Sequence, residues 1–142
     1  DADIPAGAQM VTLTLSDAAE PSDVVVNLLE FAGVNQATPI GDIGADMTGG
    51  NFTAKSVTLT TTGNGSVVVS GVGIDVNNDD SFAGSSSQDD IVEIAETLTS
   101  NNARDGKLGY ELIPSAGTTV QHTWSWTASD GAGMSAVEVL AA

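Results

Sequence analysis

The sequence predicts an all-β domain of two antiparallel sheets packed face to face, a sandwich or jelly roll of about eight strands. Three observations carry that expectation. Apolar residues alternate with Thr and Ser over several short stretches. The chain has 16 Gly among abundant Thr and Val, the mixture of a turn-rich β protein. No long helical pattern, heptad or internal repeat interrupts the series.

The elements follow in order. Residues 10–15 place Val11, Leu13 and Leu15 on one face and Thr12 and Thr14 on the other. Residues 24–31 begin apolar on both faces, which suits a central strand. Residues 55–62 alternate through Val57 and Leu59. Gly63-Asn64-Gly65 then predicts a tight hairpin turn into residues 66–74. That second arm has Val67 and Val69 against Val68, Val72 and Ile74, so both of its sides are expected to be buried. Residues 91–98 fit a helix through Ile91, Ile94, Ala95 and Leu98, but their polar tail fits a strand end, and a strand is expected. Residues 108–113 alternate until Pro114 stops them. Residues 118–127 set Val120, His122, Trp124 and Trp126 on one face, and residues 134–140 close the series.

The whole chain of 142 residues suits one domain. Three Lys and Arg against 19 Asp and Glu give a net charge of −16. Nucleic acid and anionic membranes are therefore not expected as partners, because like charges repel. Cys is absent, which excludes disulfides, thiolate chemistry and zinc ribbons. With 41% hydrophobic residues the chain is too apolar for intrinsic disorder. An acidic, Lys-poor surface suits an extracellular or cell-surface setting of high salinity. Asp1 rather than Met begins the sequence, which leaves open whether it is a processed terminus.

Few residues offer chemistry. Asp75, Asn77, Asp79 and Asp80 form an acidic loop with oxygen ligands at alternating positions, as Ca²⁺ requires. Asp80 stands where an EF-hand has Gly, and Ser86 where it has the bidentate Glu. The loop is therefore either a looser calcium site, with Asp89 and Asp90 folding back, or a solvated turn. Asp42 and Asp46 make a weaker case of the same kind. Trp124 and Trp126 form a platform for sugar rings if their strand face is exposed, or the heart of the core if it is inward. Aromatics are only 4% of the chain, which favours the core. His122 lacks a nucleophile elbow nearby. Glu93, Glu96 and Glu111 have no arrangement that pairs them as glycosidase carboxylates. No enzyme is expected. The sequons Asn51-Phe52-Thr53 and Asn64-Gly65-Ser66 are as frequent as chance allows.

Several stretches together resemble a family. They are Ile4-Pro5-Ala6-Gly7 with Val11-Thr12-Leu13-Thr14-Leu15-Ser16, and Phe31-Ala32-Gly33-Val34-Asn35-Gln36 leading to Thr38-Pro39-Ile40-Gly41. Ser56-Val57-Thr58-Leu59-Thr60, Thr123-Trp124-Ser125-Trp126 and Ala136-Val137-Glu138-Val139 complete the set. In this order they resemble secreted jelly-roll or concanavalin-like β-sandwich domains of bacterial surface and marine viral proteins. The resemblance implies a structural role and carries over no site residues. In that group the Pro-x-Gly element sits in mid-domain, whereas here it comes first. The resemblance therefore implies that N-terminal strands are lacking and that an open sheet edge is completed by a companion chain, a neighbouring subunit or upstream residues.

The leading expectation is a non-catalytic extracellular module that self-assembles through strand or sheet contacts in a surface layer, fibre or appendage. The alternatives are a calcium-assisted module that binds glycans in adhesion, and a virion capsid or decoration protein.

Overall fold

A computed structural model describes residues 29–76, 83–84, 89–94 and 103–142. They form seven strands, all in one antiparallel sheet and with no helix among them. These are β1 (Ile40–Asp46), β2 (Asn51–Thr60), β3 (Ser66–Val76), β4 (Ala83–Gly84), β5 (Asp89–Ile94), β6 (Ala103–Ile113) and β7 (Thr119–Val139). The all-β expectation holds in this form: a single sheet folds back on itself towards a barrel, in place of two separate sheets.

β7 makes this possible. It is 21 residues long and pairs along its first half with β2 and β4, and along its second half with β1 and β3. β3 continues the sheet to β6, and β6 to β5. Near residues 126–130 the β2–β7 register shifts, between the pairs Phe52–Asp130 and Ala54–Ser125. A bulge of this kind bends a strand and increases its twist. The first half of β7 thereby turns its inward face onto β3 and β6. Trp124 and His122 of that half both reach Ser70 of β3. Residues 118–127 and 134–140, read in the sequence as two strands, are thus parts of one.

The enclosed core is made of alternate residues. β2 gives Val57 and Leu59, β3 gives Val68, Val72 and Ile74, and β7 gives Val120, Trp124, Trp126, Met134 and Ala136. Burying one such side chain contributes about 1.5–3 kcal/mol.

The predicted hairpin is not observed. β2 pairs with β7, while β3 pairs with β6 and β7, so the turn at Gly63-Asn64-Gly65 carries the chain between layers. Only Gly65 of the three has positive φ, at 67°, whereas a type I′ hairpin turn requires it at both central residues. The Gly65 amide donates to the Pro114 carbonyl at 3.3 Å, which pins the turn to the end of β6. The strand expected at 91–98 is seen as β5, ending at Ile94. Residues 10–15, 24–28 and 95–98 lie outside the described residues.

Candidate functional site

Between the layers lies a chain of buried polar groups. Trp124 Nε1 donates to Ser70 Oγ at 3.1 Å. Ser70 Oγ lies 2.8 Å from His122 Nδ1, and His122 Nε2 lies 3.2 Å from Glu111 Oε2. Because Glu111 accepts, the ring proton belongs on Nε2, and Nδ1 accepts from the Ser70 hydroxyl. Burial lowers the His122 pKa, and the hydrogen bond and charge of Glu111 offset this only in part. A hydroxyl, an imidazole and a carboxylate in this order have the parts of a nucleophilic triad. Their setting differs from one. Ser70 and His122 are each 1% exposed, and the Ser70 hydroxyl is engaged by both rings. The two described grooves lie against the opposite face of β3, lined by Val69, Gly71 and Gly73. As placed, the trio braces one layer against the other.

A second polar centre surrounds Glu138 of β7, which is 0% exposed. Its carboxylate accepts from the amides of Asp42 (3.0 Å), Thr62 (2.9 Å) and Gly63 (3.0 Å) and from the Thr62 hydroxyl (2.9 Å). Burial pushes its pKa up, but the amides of Asp42, Gly63 and Thr62 and the Ser66 side chain reverse this and hold it at about 2. A carboxylate bound by converging amides stays charged in the interior, so Glu138 ties β1, the β2–β3 turn and β7 together. At the other end of β2, the buried Lys55 ammonium donates to Asp46 Oδ1 at 2.9 Å and to the Thr48 carbonyl at 2.8 Å. It also lies 4.0 Å from the Phe52 ring centroid. Asp46 is held at about 2, chiefly by the Lys55 hydrogen bond.

The sequence-derived candidates fare differently. Trp124 is 0% and Trp126 6% exposed, so the sugar-platform reading is corrected. The bend in β7 turns their face inward, where the large rings fill the fold. Asp42 and Asp46 do not converge: Asp42 accepts from the Ile43 and Thr60 amides, while Asp46 binds Lys55. Asp75 stands next to last on β3, opposite Arg104 and Gly131, and Asn77, Asp79 and Asp80 lie outside the described residues. Among the described residues no three His, Cys, Asp or Glu groups converge on a metal position. Glu111 serves His122, Glu93 lies on β5 opposite Lys107 of β6, and Glu96 is not among the described residues. Ser70 and Glu138 were given no role in the sequence; the signal for Glu138 was the one charged residue among 134–140.

Two outer faces are the other notable surfaces. On β2 and the first half of β7, Ser56, Thr58 and Thr60 stand beside Thr123, Gln121 and Thr119. Ser56 and Thr123 share a hydroxyl hydrogen bond of 2.8 Å, and Gln121 Nε2 donates to Thr58 at 3.3 Å. On the opposite outer face the register lines up rows across β6, β3, β7 and β1. They are Leu112–Val67–Val139–Ile40, Tyr110–Val69–Val137–Ile43 and Leu108–Gly71–Ser135–Ala45. A row of Gly106, Gly73 and Gly133 follows.

Taken together, the described residues form one all-β sheet with a braced polar interior, a hydroxyl-lined outer patch on β2 and β7, and an apolar outer patch on β6, β3, β7 and β1 bounded by Asp75 and Arg104 beyond its glycine row. No family model and no curated protein matches its sequence. Among solved structures it is similar to the tripod from the baseplate of bacteriophage Tuc2009, at 13% identity and a TM-score of 0.46, over 94% of this chain and 80% of that one. Among the described residues no helix is long and apolar enough to cross a membrane.

Proposed function

We propose that this chain is a non-catalytic structural module that assembles with copies of itself or with a companion chain in an extracellular or virion-surface structure. The observation that carries this reading is that, among the described residues, the hydroxyl rows of β2 and the first half of β7 and the apolar rows from Leu112–Ile40 to Leu108–Ala45 hold no carboxylate or ammonium group, in a chain of net charge −16; charge returns only beyond the glycine row, at Asp75 and Arg104. A solvated sheet in so acidic a protein has every opportunity to display carboxylates. Faces kept free of them meet another surface without the cost of burying charge. The placement of Ser70 and His122 supports a bracing role, since a reacting carbonyl must come within about 3 Å of the nucleophile and its oxyanion donors.

Contacts through faces suit β1 better than strand addition. Its register is irregular between Ile40 and Ile43, and the Asp42 side chain takes the Ile43 amide at 3.0 Å. A bulge and a capped amide blunt a sheet edge. The test is light scattering after size exclusion, with negative-stain imaging, in low and high salt. Oligomers or fibres are expected; a strict monomer under every condition would end the self-assembly reading.

A further inference from the structure

On the outer face built on β6, β3, β7 and β1, three apolar rows present large side chains to solvent. Leu112 is 66%, Ile43 69% and Ile40 51% exposed. Charge bounds the patch: Asp75 and Arg104 follow its glycine row, and Asp89 of β5 stands opposite Tyr110. We infer that residues 10–15 of this same chain dock on these rows through Val11, Leu13 and Leu15.

Four observations select that occupant. The first is position. Residues 1–28 lie outside the described residues, and the described chain enters beside the patch. Val34 bridges Ala141 and the Leu140 amide donates to the Pro39 carbonyl, directly beyond the pair Ile40–Val139 of the first apolar row. The tether from Leu15 to Leu29 reaches at most about 50 Å, against a patch about 20 Å across. The second is pattern. A segment that covers an apolar face needs one apolar side and one side for water. Residues 10–15 have both, Val11, Leu13 and Leu15 against Thr12 and Thr14, whereas Val24-Val25-Val26 would leave a valine outside. In an extended chain alternate side chains recur about every 6.8 Å, which is also the spacing of the rows. A groove of about 550 Å³ lined by Gly71, Ser135, Val69 and Val137 gives them a seat.

The third is charge. Residues 4–16 hold neither carboxylate nor ammonium, and neither do the three rows, so docking buries no charge. The fourth is size. Four strands about 4.8 Å apart and three rows about 6.8 Å apart span roughly 400 Å². That is half the ~800 Å² per partner of a standard interface, too little for a stable dimer of chains that each carry −16. A six-residue extended segment about 20 Å long matches the patch, and its tether lowers the entropy cost of docking. Assembly is left to the hydroxyl rows of β2 and β7, so this inference and the assembly reading are tested apart.

The chain has no Cys, so an introduced cysteine pair reports proximity cleanly. In the full chain, Leu13→Cys is combined with Ile43→Cys on the patch or with Thr123→Cys on the hydroxyl face, and a short bismaleimide links the thiols in dilute solution. Denaturing gels and mass spectrometry separate links within a chain from links between chains, and circular dichroism verifies folding. The link between positions 13 and 43 is expected within one chain, at least tenfold faster than that between 13 and 123. Without cysteines, Leu13→Asp and Ile43→Asp are each expected to lower the urea midpoint, and the double variant to lower it no further than the larger single effect. A bare patch gives no such coupling, because an exposed Ile43 tolerates Asp. Equal linking rates, or midpoint shifts that simply add, overturn the inference and leave the assembly reading to its own light-scattering test. Links that join two chains also overturn it; they give the segment to a neighbouring copy and support that reading.

Discussion

Glu138 and His122 are both buried, and they respond to acid in different windows. The folded pKa of Glu138, about 2, lies below its ordinary 4.5. The stability it contributes is therefore complete above pH 4.5 and drains away as pH falls towards 2. Glu138→Gln removes the charge and turns an amide NH₂ towards amide donors, which is expected to cost about 3 kcal/mol at neutral pH. Urea denaturation at pH 7 and pH 3 checks this, and the variant should lose less than wild type between the two. His122 acts earlier. Its folded pKa is lowered from 6.5 by burial, so below pH 6.5 the unfolded chain takes up the proton first. Stability then declines as pH drops from 6.5, until the folded imidazole also protonates. In His122→Gln that limb of the profile is expected to be flat, and thermal melts between pH 7 and pH 5 measure it.

At the scale of elements, β1 lies so close to β2 that a side chain would not fit between them. A Cβ on Gly44 would stand 2.6 Å from Val57 Cγ1 and 3.4 Å from the Thr58 carbonyl. Val57 is β-branched and stiff at χ1, so it gives little. Gly44→Ala is expected to lower the urea midpoint by the equivalent of about 1–3 kcal/mol, and an unchanged midpoint would mean that the layers part easily there. The same strand shows why the sequence was only partly legible. Ile40-Gly41-Asp42-Ile43-Gly44-Ala45-Asp46 is poor in strand formers, and its pairing to β7 comes from distant chain. β2, β3 and β6 were visible because their alternation is local. The two arms at Gly63-Asn64-Gly65 had the pattern of a hairpin, yet each found a better partner in β7. Trp124 and Trp126 were legible as core from the scarcity of aromatics. Ser70, on a strand read only for its valines, became meaningful once the bend in β7 brought His122 over it.

For the molecule as a whole, charge is the dominant constraint. Self-repulsion at −16 opposes compaction, and screening relieves it. The melting temperature, read at low protein concentration so that folding is separated from association, is expected to rise by a few degrees between ~0.05 M and ~1 M NaCl. A flat response would show that the carboxylates are too far apart to matter. Pairing β3 with β7 also joins residues some sixty positions apart, a topology that folds slowly.

One long strand belongs to both halves of the fold. Removing β7 would leave β1, β2 and β4 with no described backbone partner in the sheet, so neither half has an independent existence. Amide exchange should accordingly show one cooperative unit, with the protons of Val120 to Val139 among the last to be replaced by deuterium.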